Sequence, residues 1–162
     1  MGNKRLDLEK RTEEAMGEGY EALTKVCIAK RPAPILPDEA ARRLREVKIF
    51  TAGSDVDKVI DLYRSFFEGV SQSTVVLGFG RLKWGDAEAV QLAAVLPSFV
   101  RLEVLNLSDN QIGDAGTAAL AEAIAKEGAC PSLDYIDLDD NPASDEAKKA
   151  VEEALKKKKQ GA

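Results

Sequence analysis

The chain of 162 residues contains no histidine and only two cysteines. Without histidine it lacks the commonest general base and a common metal ligand, and no Ser-His or Cys-His nucleophile can form. Cys27 and Cys130 lie far apart in the sequence, which is typical of reduced thiols in a reducing compartment. We therefore predict no catalytic residue, no metal or cofactor site and no small-molecule substrate, and an enzyme is the least favoured class.

Positive charge is not in excess either, because 23 basic residues face 28 acidic ones and the net charge is −5. A nucleic-acid partner would need a concentrated basic face, so this class is disfavoured. The sequence has no apolar run long enough to span a membrane and no apolar signal-peptide core. We expect an intracellular, cytoplasmic protein, with nuclear targeting by the run Lys156–Lys159 as the alternative.

What the chain does contain is a repeat. The segments TVVLGF, LEVLNL and LDYIDL begin at Thr74, Leu102 and Leu133, and each precedes an apolar, helix-like stretch. A fixed period of about 30 residues predicts a solenoid, in which neighbouring units must stack to bury their apolar faces. Solenoids usually act by offering a surface rather than by doing chemistry.

The unit that begins at Leu102 has the clearest pattern. Alternation at period two places Leu105 and Leu107 inward, with Val104, Asn106 and Ser108 on the open face. The helix that follows should bury residues at helical spacing, and the corresponding core positions of the three units are Leu92 and Leu96, Leu120 and Ile124, and Val151 and Leu155. Trp84 takes the place of Ile112, so we predict a core role for it.

A fourth, weaker unit precedes these three. Its strand would carry Leu44, Val47 and Ile49, and its helix would place Leu62 and Phe66 where the clearest unit has Leu120 and Ile124. We favour a short helix up to about Arg43 and a strand near residues 47–50. A single helix over Asp38–Lys48 fits the same residues and stays open.

The segment LEVLNLSDNQIGDAG, which begins at Leu102, resembles the leucine-rich repeat family in its longer, ribonuclease-inhibitor-like subclass. The resemblance covers residues 74–155 and, more weakly, extends to Leu44. It implies an α/β solenoid with parallel strands on the concave face and helices on the convex face. It also implies that Asn110 and Asn141 bond to the backbone in the turns, in a ladder broken where Leu82 replaces asparagine.

Three segments are expected along the chain. Residues 1–37 would form an N-terminal helical extension with a Pro-rich linker, residues 38–155 the repeats (near 44–73, 74–101, 102–132 and 133–155), and residues 156–162 a solvated, Lys-rich tail. The extension has an apolar stripe at near-helical spacing, formed by Leu8, Met16, Tyr20, Leu23 and Cys27. Its role stays open between a cap for the solenoid end and a docking arm for a partner.

The resemblance and the open-face positions together predict a non-catalytic protein–protein interaction module. The expected partner-binding residues are Lys48, Phe50, Val76, Val104, Asn106, Ser108, Tyr135, Asp137 and Asp139. We interpret the acidic cluster of the last strand as a recognition patch, which suggests a partner with apolar residues and lysine or arginine.

Two further functions fit the same sequence. One is a structural subunit of a large multiprotein assembly, held through the convex helices and the N-terminal extension. The other is a regulator of a GTPase or cytoskeletal system, since similar repeats occur in Ran GTPase-activating proteins and tropomodulins. That second possibility rests on family analogy alone.

Overall fold

The computed structural model describes residues 31–46 and 53–161. Two helices come first, and three strand–helix units follow them. The elements are α1 (Pro37–Glu46), α2 (Gly53–Ser73), β1 (Val76–Gly78), α3 (Asp86–Val95), β2 (Val104–Asn106), α4 (Asp114–Ala125), β3 (Tyr135–Asp137) and α5 (Asp145–Gly161). A 3-10 turn, Leu96–Ser98, extends α3. Within the described ranges no helix is both long and apolar enough to cross a membrane.

The three strands form one parallel sheet in the order β1-β2-β3. The fourth residues of the three repeated segments, which we call the anchors, stand side by side in its register: Leu77, Leu105 and Ile136. One repeat of the sequence therefore corresponds to one strand of the sheet, with equivalent residues paired on neighbouring strands. Parallel neighbours joined by a helix are the arrangement that a strand–helix repeat requires.

The core lies between the sheet and the helices, with α4 packed between α3 and α5. Leu105, Leu107, Leu120 and Ile124 are buried there, as predicted, while Ile136 is half-buried because β3 has a neighbour on one side only. The helices approach closely at Gly116. A Cβ atom on this glycine would lie 2.8 Å from the Ala89 Cβ and 2.9 Å from the Ile112 Cγ2.

Trp84 confirms the core role predicted for it. Its side chain is buried, and its ring stacks on that of Phe79 with a centroid distance of 4.7 Å. Phe79 occupies the place that Leu107 has in the next unit. In the first unit two aromatic rings therefore fill the space that aliphatic side chains fill in the second unit.

The turns after the strands are held by the predicted asparagines. The Asn110 Oδ1 accepts hydrogen bonds from the Leu82 and Trp84 amides, both at 3.0 Å, and its Nδ2 donates to the Phe79 carbonyl at 2.8 Å. The Asn141 Oδ1 accepts from the Ile112 amide at 2.9 Å. Each asparagine therefore completes the turn of the unit before it. The Leu82 side chain has no amide group, so the first unit has no equivalent of Asn110 and Asn141 at this position.

Two expectations for the fourth unit need correction. α1 runs to Glu46, close to the expected end near Arg43, but it contains Leu44, which was expected in the strand. The strand expected near residues 47–50 lies outside the described residues. In α2, Leu62 and Phe66 are 72% and 65% exposed, and the prediction that they match the buried Leu120 and Ile124 is wrong. The helix presents the opposite face inward, with Ile60 and Phe67 buried.

The extended, Pro-rich segment before α1, residues 31–36, lies between α2 and the helices of the strand–helix units. Its Ile35 carbonyl accepts a hydrogen bond from the Tyr63 hydroxyl of α2 at 2.8 Å. The Ala33 carbonyl accepts one from the Gln91 Nε2 of α3 at 3.0 Å, and Ala33 is buried. This extended segment therefore lies between the two helices. The predicted helix over residues 6–30 falls outside the described residues.

The lysine run at 156–159 lies near the C-terminal end of α5, where Lys156, Lys157 and Lys159 are exposed and Lys158 is half-buried. The Lys158 ammonium donates to the carbonyls of Ala129 and Cys130, and Lys159 pairs with Asp134. These contacts satisfy carbonyls in the turn before β3. The last helix is consequently tied to the turn that precedes its own strand.

Candidate functional site

The candidate site is the side of the sheet whose residues alternate with the buried anchors, which we call the open face. Parallel register brings equivalent residues of the three strands into rows across it. One row consists of Val76, Val104 and Tyr135, and the next consists of Gly78, Asn106 and Asp137. The expected residues Ser108 and Asp139 follow at the ends of β2 and β3. Lys48 and Phe50 lie outside the described residues.

The row of Val76, Val104 and Tyr135, which we call the apolar row, is hydrophobic and partly exposed. Val76 and Tyr135 are 42% and 43% exposed, and Val104 between them is half-buried. Side chains directly opposite each other on adjacent strands are near neighbours, so the three form one continuous strip. The structure thus brings together three of the residues expected to bind a partner.

The second row, which we call the polar row, has side chains that accept hydrogen bonds from backbone amides. The Asn106 Oδ1 accepts hydrogen bonds from the Ser108 amide and hydroxyl, both at 2.9 Å, and the Asp137 Oδ1 accepts from the Asp139 amide at 3.1 Å. Asn and Asp commonly bond in this way to the backbone two residues further on. The same side chains therefore help to close the strand ends.

This geometry corrects the expected exposure of two residues. Asp137 is only 2% exposed and Ser108 only 3% exposed, although both were expected to project from the open face. The Ser108 hydroxyl donates to the Asn106 Oδ1, and the Asp137 Oδ1 accepts from the Asp139 amide. Asp139 is exposed and is the carboxylate of this pair that a partner can reach directly.

Gly78 leaves an empty space in the polar row, beside the apolar row. A Cβ atom placed on it would meet no atom within 4 Å. Gly80 differs, since a Cβ there would lie 3.0 Å from the Asn106 Oδ1. Gly78 is exposed and leaves its position in the row open, and we call this open position the notch. Gly80 instead makes room for the neighbouring asparagine.

Charged residues border the far end of the open face. Arg81 and Asp109 form an ion pair at 3.3 Å between neighbouring units. Arg81, Asp109 and Asp140 all have left-handed backbone geometry, with φ of 62°, 56° and 55°. Aspartate tolerates this geometry better than arginine does, because its short side chain can bond to the local backbone. The repeat thus turns in the same way in all three units.

Cys130 lies beside Lys158, whose ammonium donates to the Cys130 carbonyl, and a nearby positive charge can activate a thiol. The Cys130 thiol donates to the Leu96 carbonyl at 2.9 Å, and burial raises its pKa to about 11, although the Lys158 charge acts in the opposite direction. Burial also lowers the pKa of Lys158. A thiol of this kind is protonated near neutral pH and is a poor nucleophile. Its role is structural.

Comparison with known families agrees with this arrangement. A family model described as Leucine Rich repeat matches residues 102–121. The matched stretch contains β2, the turn with Asn110, and the first two turns of α4. No curated protein matches the chain significantly. The motif indicates a protein-interaction module, and this family is generally non-enzymatic.

Sequence reasoning missed the bonds that acidic residues make between units. The Asp86 Oδ1 accepts from the Gly113 and Gly116 amides at 2.7 and 2.9 Å, at the N-terminus of α4. The Asp114 Oδ1 accepts from the Ser144 amide at 2.6 Å, just before α5. The repeated Gly-Asp-Ala triplets, Gly85–Ala87 and Gly113–Ala115, were the available signal.

Proposed function

We propose that this chain is a short solenoid that binds another protein through its open face. In this proposal β1, β2 and β3 line the concave side, the helices form the convex side, and the repeats are of the ribonuclease-inhibitor-like type. The observation that carries the proposal is the apolar row of Val76, Val104 and Tyr135, exposed directly beside the notch at Gly78.

The chemistry of the face indicates what the partner would present. An apolar row attracts aliphatic or aromatic side chains, and Tyr135 is the kind of residue that often dominates binding energy. The notch has room for one side chain of the partner. The exposed Asp139 favours lysine or arginine further along the bound segment, where charge guides recognition and encounter.

Other parts of the protein enter the same proposal. An intracellular site of action follows from the two lone cysteines, and the extension of residues 1–37 would support the repeats or the complex. A structural subunit of a large assembly would use the helical side of the molecule instead. The first function requires the open face to bind a partner, and the second requires the helices to do so. Variants of the two surfaces can therefore distinguish between these functions.

The decisive variant fills the notch. Gly78→Leu places a side chain where no atom lies within 4 Å, so folding should be unaffected while a bound partner is blocked. Tyr135→Ser removes the aromatic end of the apolar row. Val90→Ser is the matched control, because Val90 is 49% exposed but lies on α3. All three variants change exposed positions, and circular dichroism melting curves should coincide with that of the native protein.

The measurement is affinity capture from extracts of the cells that make the protein, with quantitative mass spectrometry. We expect the same partner to be lost by at least about tenfold, or about 1.4 kcal/mol, with Gly78→Leu and with Tyr135→Ser. Val90→Ser should retain it. Equal capture by the native protein and Gly78→Leu would contradict binding at the open face.

A further inference from the structure

The apolar row lies across the strands rather than along one of them. Val76, Val104 and Tyr135 are register partners on three neighbouring strands. Neighbouring strands lie about 4.8 Å apart, so the row spans about 10 Å. The polar row, with the notch at Gly78, lies two residues further along the strands, or about 6.7 Å away. These two distances limit the shape of the partner segment that can fill the site.

An extended partner segment does not fit this spacing. Side chains on one face of an extended chain are about 6.7 Å apart, so three of them span about 13 Å and do not coincide with the row. A segment parallel to the strands would place one side chain over the apolar row and the next over the polar row, where Asn106 and Asp137 bond to backbone amides. In either direction an extended chain leaves part of the apolar row uncovered.

An α-helix that crosses the strands fits both distances. Its residues i, i+4 and i+7 lie on one face and span about 10.5 Å along the axis, close to the length of the apolar row. A helix is also about 10 Å wide with its side chains, which is enough to cover the polar row as well. One bulky side chain on its flank would then enter the notch, where a Cβ atom on Gly78 would meet no atom within 4 Å.

A carboxylate beside the apolar row indicates the charge of this helix. Glu103 directly precedes Val104 and is exposed, and its carbonyl accepts a hydrogen bond from the Tyr135 amide at 3.1 Å. The Asp134 carboxylate nearby pairs with Lys159, whereas that of Glu103 has no ion-pair partner among residues 31–46 and 53–161. A lysine or arginine on the flank of the bound helix would supply the opposite charge.

We therefore propose that the open face receives an amphipathic α-helix of another protein, laid across the three strands. This helix carries apolar residues at positions i, i+4 and i+7 and a basic residue that faces Glu103. The inference rests on the proposed function, because it specifies the partner of the same site.

The probes are two fluorescently labelled peptides of about 18 residues, because shorter helices are marginal in water. Both contain three leucines and the same amounts of alanine, glutamine and lysine. The stripe peptide has leucine at i, i+4 and i+7, on one face of a helix, and the alternating peptide has it at i, i+2 and i+4, on one face of an extended chain. Fluorescence anisotropy with the full chain should show at least about tenfold tighter binding of the stripe peptide. Equal or tighter binding of the alternating peptide would overturn the inference.

Variants of the chain then locate the bound helix. Gly78→Leu and Tyr135→Ser should each weaken binding of the stripe peptide at least about tenfold, whereas Val90→Ser on α3 should not change it. Glu103→Lys should weaken binding and reduce its salt dependence. Glu122→Lys is the matched control, because it changes the net charge equally at an exposed position of α4, and it should bind like the native protein. Equal weakening by the two lysine variants would overturn the pairing of the basic residue with Glu103.

Two outcomes separate this inference from the proposed function. If both peptides bind equally and Gly78→Leu weakens both, the open face binds a segment of another shape, so the helix is overturned and the proposed function stands. If the open-face variants leave binding of the stripe peptide unchanged, the helix is again overturned, and affinity capture with the same variants still decides the proposed function. Light scattering tests the remaining occupant: self-association that is lost with Tyr135→Ser would show that a second copy of this chain fills the open face, and would also overturn the inference.

Discussion

In the strand–helix units many side-chain hydrogen bonds connect one unit with the next, as between Asn110 and Trp84, 26 positions apart, and between Asn141 and Leu107, 34 positions apart. In α1 and α2 most polar contacts join residues three or four positions apart, such as Glu39 with Arg42 and Asp61 with Arg64. The two regions therefore use polar side chains differently. In the strand–helix units polar side chains connect successive units, whereas in α1 and α2 they pair on the surface of a single helix.

The energetic consequences also differ. The hydrogen bonds of Asn110 and Asn141 are buried. Removal of either side chain would therefore leave backbone groups without a hydrogen-bond partner and out of contact with water. The ion pairs of α1 and α2 lie on exposed surface, where screening by water and salt leaves such pairs little net effect. We therefore expect mutational effects to be large in the repeats and small in the first two helices.

The largest expected difference concerns two leucines. Leu105→Ala removes a fully buried side chain from the middle strand and should lower the free energy of unfolding by about 2–5 kcal/mol. Leu62→Ala, at an exposed position of α2, should change it by less than about 0.5 kcal/mol. Urea unfolding followed by circular dichroism measures both. A loss below about 1 kcal/mol for Leu105→Ala would contradict the stacked core.

The second difference concerns polar side chains. Asn110→Ala leaves the amides of Leu82 and Trp84 and the Phe79 carbonyl without this partner, at roughly 1–3 kcal/mol for each group that stays unsatisfied. Arg42→Ala removes an exposed arginine that contacts Glu39 and Glu46, and its effect should be much smaller. Equal urea midpoints for these two variants would show that the buried asparagine is not a structural link between units.

The sequence predicted the repeated region well because its signals are redundant there. Leu105, Leu120 and Asn110 each belong to a different class of position, and each class recurs in a neighbouring unit. Their strand, helix and turn were found in the expected places. The match to the leucine-rich repeat model lies in the same stretch. Agreement among independent local signals is what makes a prediction of this kind reliable.

The first two helices were predicted less well because one pattern fits two structures there. Leu44 suits both a strand start and a helical stripe, and in the structure it lies in α1, whose buried side carries Ala40 and Ala41. In α2, apolar residues lie on two faces, Ile60 with Phe67 and Leu62 with Phe66. Periodicity alone cannot say which face turns inward, since that depends on the segment that packs beside the helix.

The candidate site was predicted in part for a similar reason. Alternation correctly placed Val76, Val104 and Tyr135 on the open face. It did not predict the burial of Asp137, because a short carboxylate can bond to the amide two residues along and thereby leave the surface. The notch was predictable because glycine simply lacks a side chain.

The smallest expected effect tests the exposed ion pairs of α1 directly. Hydrogen bonds from Arg42 and Arg43 lower the pKa of Glu39 from its ordinary 4.5 to about 2. Because the folded pKa lies below the unfolded one, the stabilisation is present above pH 4.5 and is lost as the pH falls towards 2. The stability difference between the native protein and Glu39→Gln should therefore shrink over that range. The effect should be small, since the carboxylate is solvated.

The titration itself can be followed by NMR on the Glu39 side-chain carboxyl carbon. In the native protein its midpoint should lie well below 4.5. In a variant with both Arg42→Gln and Arg43→Gln it should return towards that ordinary value, because the two hydrogen-bond donors that favour the charged form are removed. A native midpoint near 4.5 would mean that the helix surface is too dynamic to hold these pairs, and that α1 depends on its contact with α2 alone.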